Sequence, residues 1–222
     1  MCFSAQASFI ASGILGTIGI LAITKTKLKK LILIASTPLF FAIQQAIEGI
    51  VWLTINSGNT SGLLHKFAVY GFIFFASTFW PTAIPITLFF IEQNKTRKKL
   101  LLITSCMGIL FATAYIICWI LMGIKAEAID HHIAYSFANK KIDSHAFFFL
   151  ANIGLTIYVI ATSGAMLISS INYMWVLGAL TIIALIISQI FYYLAFGSVW
   201  CFFAAIISLL IYFIVTFYRN KN

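Results

Sequence analysis

Residues 31–55 read LILIASTPLFFAIQQAIEGIVWLTI. The run is longer than the about 20 mostly apolar residues that a helix needs to cross the hydrocarbon of a bilayer. It carries a single carboxylate, Glu48, near its middle. Six further apolar stretches follow the same pattern, at about 7–24, 63–91, 100–124, 147–168, 174–195 and 198–217. They are continuously apolar and do not alternate in units of about ten residues, which excludes a transmembrane β-barrel. The predicted fold is all-α: one polytopic membrane domain of seven transmembrane helices over 1–222, with a long loop at 125–146.

Composition excludes the other classes. The chain is 62% hydrophobic and 9% charged, against roughly 45–50% and about 25% in a soluble domain. A water-facing globule of this size could not hide so much apolar surface. A disordered chain would be poor in these residues. The third stretch contains Pro81 and Pro85, which predict a kink or a tilt. Phe196-Gly197-Ser198 reads as a tight turn between the last two helices. Residues 1–7 carry no positive charge and no A-x-A site follows, so the first stretch reads as a permanent helix rather than a signal peptide.

Basic residues set the expected orientation. With the N-terminus outside and the C-terminus cytoplasmic, Lys25, Lys27, Lys29, Lys30, Lys95, Arg97, Lys98, Lys99, Arg219 and Lys221 face the cytoplasm. Lys66, Lys125, Lys140 and Lys141 face outward. The expected location is the plasma (inner) membrane, multi-pass. The net charge of +9 belongs mostly to these loops, so it calls for anionic lipid headgroups and not for nucleic acid. Other expected partners are an unknown small molecule and further copies of the chain.

The 125–146 loop exceeds the about 12–15 residues beyond which loops are usually functional or disordered. Its apolar Ile129, Ile133, Tyr135 and Phe137 predict that it folds over the outer mouth. Short matches (Phe9-Ile-Ala-Ser12 with Phe149-Leu-Ala-Asn152, and Gln45-x-x-Glu48 with Gln189-x-x-Tyr192) relate helices 1–3 to 5–7 in a 3+1+3 arrangement.

Glu48 is the one acidic residue inside any of the seven stretches. A carboxylate in hydrocarbon is costly, which makes it a functional candidate by default. Gln44, Glu48 and Trp52 lie at i, i+4 and i+8 on one helix face, with Glu48 about 10 Å below the outer helix end at 1.5 Å per residue. The competing reading is a neutral Glu that locks helix packing. Cys2 and Ser4 precede the first helix, and Trp200 and Cys201 open the last. The topology puts Cys2 and Cys201 on the oxidising side, where a disulfide is permitted. With Met1 removed, Cys2 would instead join a free α-amine to its thiol as an N-terminal nucleophile. Cys106 and Cys118 read as packing.

His131, His132, Asp130, His65 and His145 invite a zinc site, but no H-x-x-x-H or C-x-x-C occurs, and solvated loop histidines are the expectation. No metal and no cofactor is assigned. The last helix has no lysine for a retinal Schiff base. Trp52, Tyr192, Tyr193 and Trp200 fall near the outer boundary, where they form an aromatic belt or line a pocket.

At these residues the sequence resembles an uncharacterised bacterial family of small polytopic membrane proteins whose members begin Met-Cys-(Trp/Phe)-Ser-Ala. The opening Met1-Cys2-Phe3-Ser4-Ala5 carries the likeness, with Gln45-x-x-Glu48-Gly49-x-x-Trp52, His132-Ile133-Ala134-Tyr135, Ala161-Thr162-Ser163-Gly164-Ala165 and Ser198-Val199-Trp200-Cys201. The resemblance implies one constellation of Cys2, Ser4, Gln45, Glu48, Trp52, His132, Tyr135, Trp200 and Cys201. It implies no activity. The ceramidase-like hydrolases also have seven helices, but they draw on intramembrane histidines, whereas those here lie in or beside outer loops.

The expectation is therefore a pocket open to the outer face, with Glu48 as floor, Trp52 and Trp200 as walls and the 125–146 loop as cover. Ser4, Gln44, Gln45, His132, Tyr135 and Tyr192 complete the candidate ligand contacts. Three functions suit it, in this order: a small-molecule transporter or binding protein; a membrane enzyme at the outer leaflet using Cys2 or a metal-activated water, with Glu48 as acid/base; and a sensor or structural subunit.

Overall fold

The computed structural model describes residues 4–26, 28–129, 131–139 and 144–217, with the side chains of 144–148 outside the description. Cys2, Asp130, Lys140, Lys141 and the His145 side chain, all named above, lie outside it. Seven helices are long and apolar enough to cross a membrane. They are α1 (Ala5–Lys25), α2 (Lys29–Asn56), α3 (Leu63–Ile91), α4 (Lys95–Met122), α5 (Phe149–Ile168, its helix beginning at Ser144), α6 (Met174–Phe191) and α7 (Tyr193–Thr216). Helices are the form these runs must take, because hydrocarbon offers the backbone no partner but itself.

Successive helices are neighbours around the bundle, and α1 against α7 closes the ring. Contacts of α3 with α5 and of α2 with α7 fill the middle. Small residues set the closest approaches. At Gly108 of α4 a Cβ would stand 1.8 Å from the Pro81 carbonyl oxygen of α3, so only glycine fits.

The structure departs from the sequence expectations in three places. Helix α4 begins at Lys95, not 100, because the Asn94 side chain caps it by accepting from the N–H groups of Thr96 and Arg97. The basic run therefore belongs to the helix. Phe196-Gly197-Ser198 is helical; the reversal falls at Tyr192 and a 3-10 turn, Tyr193–Ala195. Glycine breaks helices less readily in an apolar span than in water. As expected, α3 stays one span through Pro81: a π-helical stretch, Phe74–Phe79, precedes it and the helix runs on to Ile91. Its widened turn absorbs the ring that would otherwise collide with the carbonyl four residues back. Helix α5 has a similar stretch, Ile160–Gly164.

Third, part of the long loop is an antiparallel hairpin, β1 (Ile124–Ile129) with β2 (His132–Phe137), in register from Ile124 opposite Phe137 to Ile129 opposite His132. His131 takes the turn at φ 62. The inner strand lies on the bundle: Ile133 is wholly buried with Ala5, Val51, Trp52 and Val69, and the Tyr135 ring stacks on Phe72 at 4.5 Å.

The opposite end is tied by Glu92, just past α3. Its Oε1 accepts from the Gln93 and Asn94 backbone N–H groups and from the Ser170 hydroxyl, and its Oε2 accepts from the Ser170 N–H at 2.8 Å. Arg97 donates to the Ser169 carbonyl beside it. The α3–α4 and α5–α6 loops are thereby joined. Burial pushes the Glu92 carboxyl up, but the four hydrogen bonds together outweigh burial and hold it below its ordinary value of 4.5. A depressed pKa means that the ionised form stabilises the fold. That contribution is complete above about pH 4.5 and is lost as pH falls through the lower folded-state value. Glu92→Ala is expected to cost about 2–4 kcal/mol and to flatten the acid limb of a thermal-stability profile followed by circular dichroism.

Candidate functional site

The middle of α2 builds the polar layer of the bundle. Gln44, Gln45 and Glu48 are all fully buried, and each is held by a different partner. The Gln45 amide nitrogen donates to Glu48 Oε2 at 3.2 Å, one helical turn on. The Ser198 hydroxyl, in the second turn of α7, donates to Glu48 Oε1 at 2.5 Å. Gln44 turns toward α3, where its Oε1 accepts from the Trp80 indole N–H at 2.7 Å. The Cys201 thiol lies against Gln44 and Glu48. Helices α2, α3 and α7 are thus joined at one level by groups that would be costly to bury singly.

Of the expected site residues, Gln44, Gln45, Glu48 and Cys201 lie together. Ser4 is the N-cap of α1, its hydroxyl accepting from the Ala7 N–H at 3.2 Å. Trp52 is buried in the cluster under the hairpin, with Ala5, Val51 and Ile133. Trp200 belongs to a separate cluster with Phe41, Trp80 and Tyr158, and donates its N–H to the Thr181 carbonyl at 3.0 Å. The two tryptophans therefore do not face one another across a pocket.

His132 is not a solvated loop histidine: it is buried, edge-on to Tyr192 with ring centroids 4.8 Å apart. His65 is buried too, its Nδ1 2.8 Å from the Thr54 hydroxyl. His131 is exposed. Cys201 carries a free thiol; Cys2, its expected disulfide partner, lies outside the described residues. Among the described residues no three of His, Cys, Asp and Glu converge to hold a metal.

One cavity lies on the other side of this layer from the expected pocket. It holds about 50 Å³ and is lined by Phe41, Trp80, Tyr158, Thr181, Trp200 and Cys201, among others. Its lining on α2, α5 and α6 comes from the halves of those helices farther from the hairpin. Glu48 is sealed from solvent between the hairpin and this chamber. Sequence reasoning missed Trp80 and Ser198. Ser198 was visible beside Trp200 and Cys201, but nothing in the spacing linked Trp80 to Gln44.

Seven apolar helices closed around a buried amide–carboxyl layer make this a polytopic membrane protein. The chain belongs to the family of unknown function DUF6629, whose model matches residues 1–222. No curated protein and no solved structure matches it.

Removing the hydroxyl that bridges α2 and α7 leaves a wholly buried carboxyl oxygen short of a donor. Ser198→Ala is expected to cost about 1–3 kcal/mol, read as a fall of several degrees in the melting temperature. Cys106→Ala, on an exposed face of α4, should change stability by less than about 0.5 kcal/mol.

Proposed function

We propose that the protein binds and carries a small molecule through its central chamber, with Glu48 as the proton-linked group. The observation that carries this reading is the Glu48 carboxyl itself. It is fully buried, bridged from α2 to α7, and set between the hairpin-covered end and the cavity. An intramembrane carboxyl in such a place trades a proton against hydrogen bonds at modest cost, and a change in its charge alters the α2–α7 joint directly. In this reading the hairpin is the outer gate, held by the Tyr135–Phe72 stack. The apolar cluster of Leu88, Ala165, Leu177 and Ile211 is the inner gate. The site is therefore central, with a closed outer mouth.

The basic residues supply the orientation. Lys25, Lys29, Lys30, Lys95, Arg97, Lys98 and Lys99 lie at the end away from the hairpin, and Lys66 and Lys125 at the hairpin end. By the positive-inside bias the N-terminus and the hairpin face outward from the plasma membrane. Alkaline phosphatase fused after Gly58 should be active and after Asn94 inactive; the reverse pattern would invert the topology.

For the carrier itself, native mass spectrometry of wild type and Glu48→Gln, purified from the same membranes, identifies the retained molecule. In proteoliposomes its uptake by wild type should follow an imposed pH gradient. Glu48→Gln should bind the molecule yet ignore the gradient. Uptake equally gradient-driven in both proteins would end the proposal.

One observation favours a second reading, a thiol-dependent membrane enzyme: the free Cys201 thiol lines the cavity beside Glu48. That reading requires Cys201→Ser to abolish turnover of the retained molecule, whereas a carrier would keep transporting it.

A further inference from the structure

The end of the bundle away from the hairpin carries charge that the protein itself leaves unanswered. Seven basic residues lie there among the described residues: Lys25, Lys29, Lys30, Lys95, Arg97, Lys98 and Lys99. The one carboxylate side chain at that end, Glu92, is occupied by the Ser170 hydroxyl and three backbone N–H groups. The other four acidic residues are Glu48 in mid-span and Glu127, Asp130 and Asp143 between α4 and α5. Arg97 is held by the Ser169 carbonyl. Six lysines remain, and none is in an ion pair among the described residues.

Three of these lysines flank one helix. The Lys29–Leu31 turn, which opens α2, packs on the last segment of α3. On the other flank Lys98 of α4 is half-buried, its Nζ 5.1 Å from the centre of the Phe89 ring of α3. Such a contact holds the ammonium in place without neutralising it. Between these flanks α3 presents Phe90, which is 71% exposed, and Leu33 of α2 and Leu102 of α4 are exposed as well. Adjacent helices pack about 8–10 Å apart, so the cations of α2 and α4 are separated by the width of one helix. An apolar strip with uncompensated cations at its head matches the two halves of a phospholipid, its chains and its phosphate.

We infer that this end of α3 binds one molecule of anionic phospholipid, its phosphate held between Lys30 and Lys98 and its chains laid over Phe90, Leu33 and Leu102. A zwitterionic lipid brings its own ammonium to the same place and gains less. Lys25 and Lys99 are the internal comparison: Lys25 ends α1, and Lys99 is turned about 100° from Lys98 around α4. A diffuse attraction of every cation to an anionic leaflet would use all four lysines equally; a site uses two. Such a site stands whether or not the bundle carries a solute, and in whichever leaflet this end lies.

Native mass spectrometry tests this, on detergent-purified protein offered equal amounts of phosphatidylglycerol and phosphatidylcholine with matched chains. Wild type should retain one phosphatidylglycerol with about tenfold preference. Lys30→Gln/Lys98→Gln should reduce that preference to about twofold. Lys25→Gln/Lys99→Gln, which has the same net charge, should keep it. If the first double variant does not fold, the exposed Lys30→Gln alone decides, set against Lys25→Gln alone. Soluble glycerol phosphate at the lipid concentration should not displace the lipid, because it lacks the chains. Equal retention of the two lipids, an equal loss of preference in both double variants, a preference unchanged in Lys30→Gln/Lys98→Gln, or displacement by glycerol phosphate would overturn the inference.

Discussion

The hydrogen bond from Ser198 to Glu48 closes the bundle. It joins the middle of α2 to the beginning of α7 across 150 residues of chain, at a depth where neither group can turn to water. Once Glu48 is fixed there, Gln45 is drawn to its second oxygen and Gln44, one turn back along α2, is presented to Trp80. The tryptophan in turn stacks on Phe41 at 4.0 Å, which puts one wall of the chamber in place. The polar layer and the aromatic cavity are consequences of one constraint: a carboxyl buried in an apolar bundle must be given donors.

Seven apolar runs were legible because a bilayer imposes a length and a hydropathy on each crossing, and both are written in composition. What lies between the runs was less so. The residues Lys125-Ala-Glu-Ala, good helix formers by propensity, form most of β1 only because β2 pairs with them and Ile133 is buried beneath. Lys95 to Lys99 read as a loop because charge marks the membrane boundary, yet a helix can extend past that boundary into water once Asn94 caps it.

The site was legible in part, for a similar reason. Glu48 stood out by its cost, Gln44 by its spacing from it, and Gln45 by the motif that carries the family resemblance. The link from Gln44 to Trp80 spans 36 residues and has no local signature. Ser4, read as a ligand contact, is a helix cap. Trp52 and Trp200, read as facing walls, belong to separate clusters, because helix rotation, which sequence does not record, decides which cluster each joins.

The π-helical stretch of α3 acts on rotation in just this way. In an unbroken α-helix Phe72 and Trp80, eight residues apart, would diverge by about 80° at 3.6 residues per turn. One extra residue taken up in a widened turn returns Trp80 to within about 20° of Phe72. A single helix can therefore present one ring beneath the hairpin and another to Gln44, both inward. The phase of α3 is held by a residue count, so the interval between Phe72 and Trp80 tolerates exchange of side chains far better than the gain or loss of a single position.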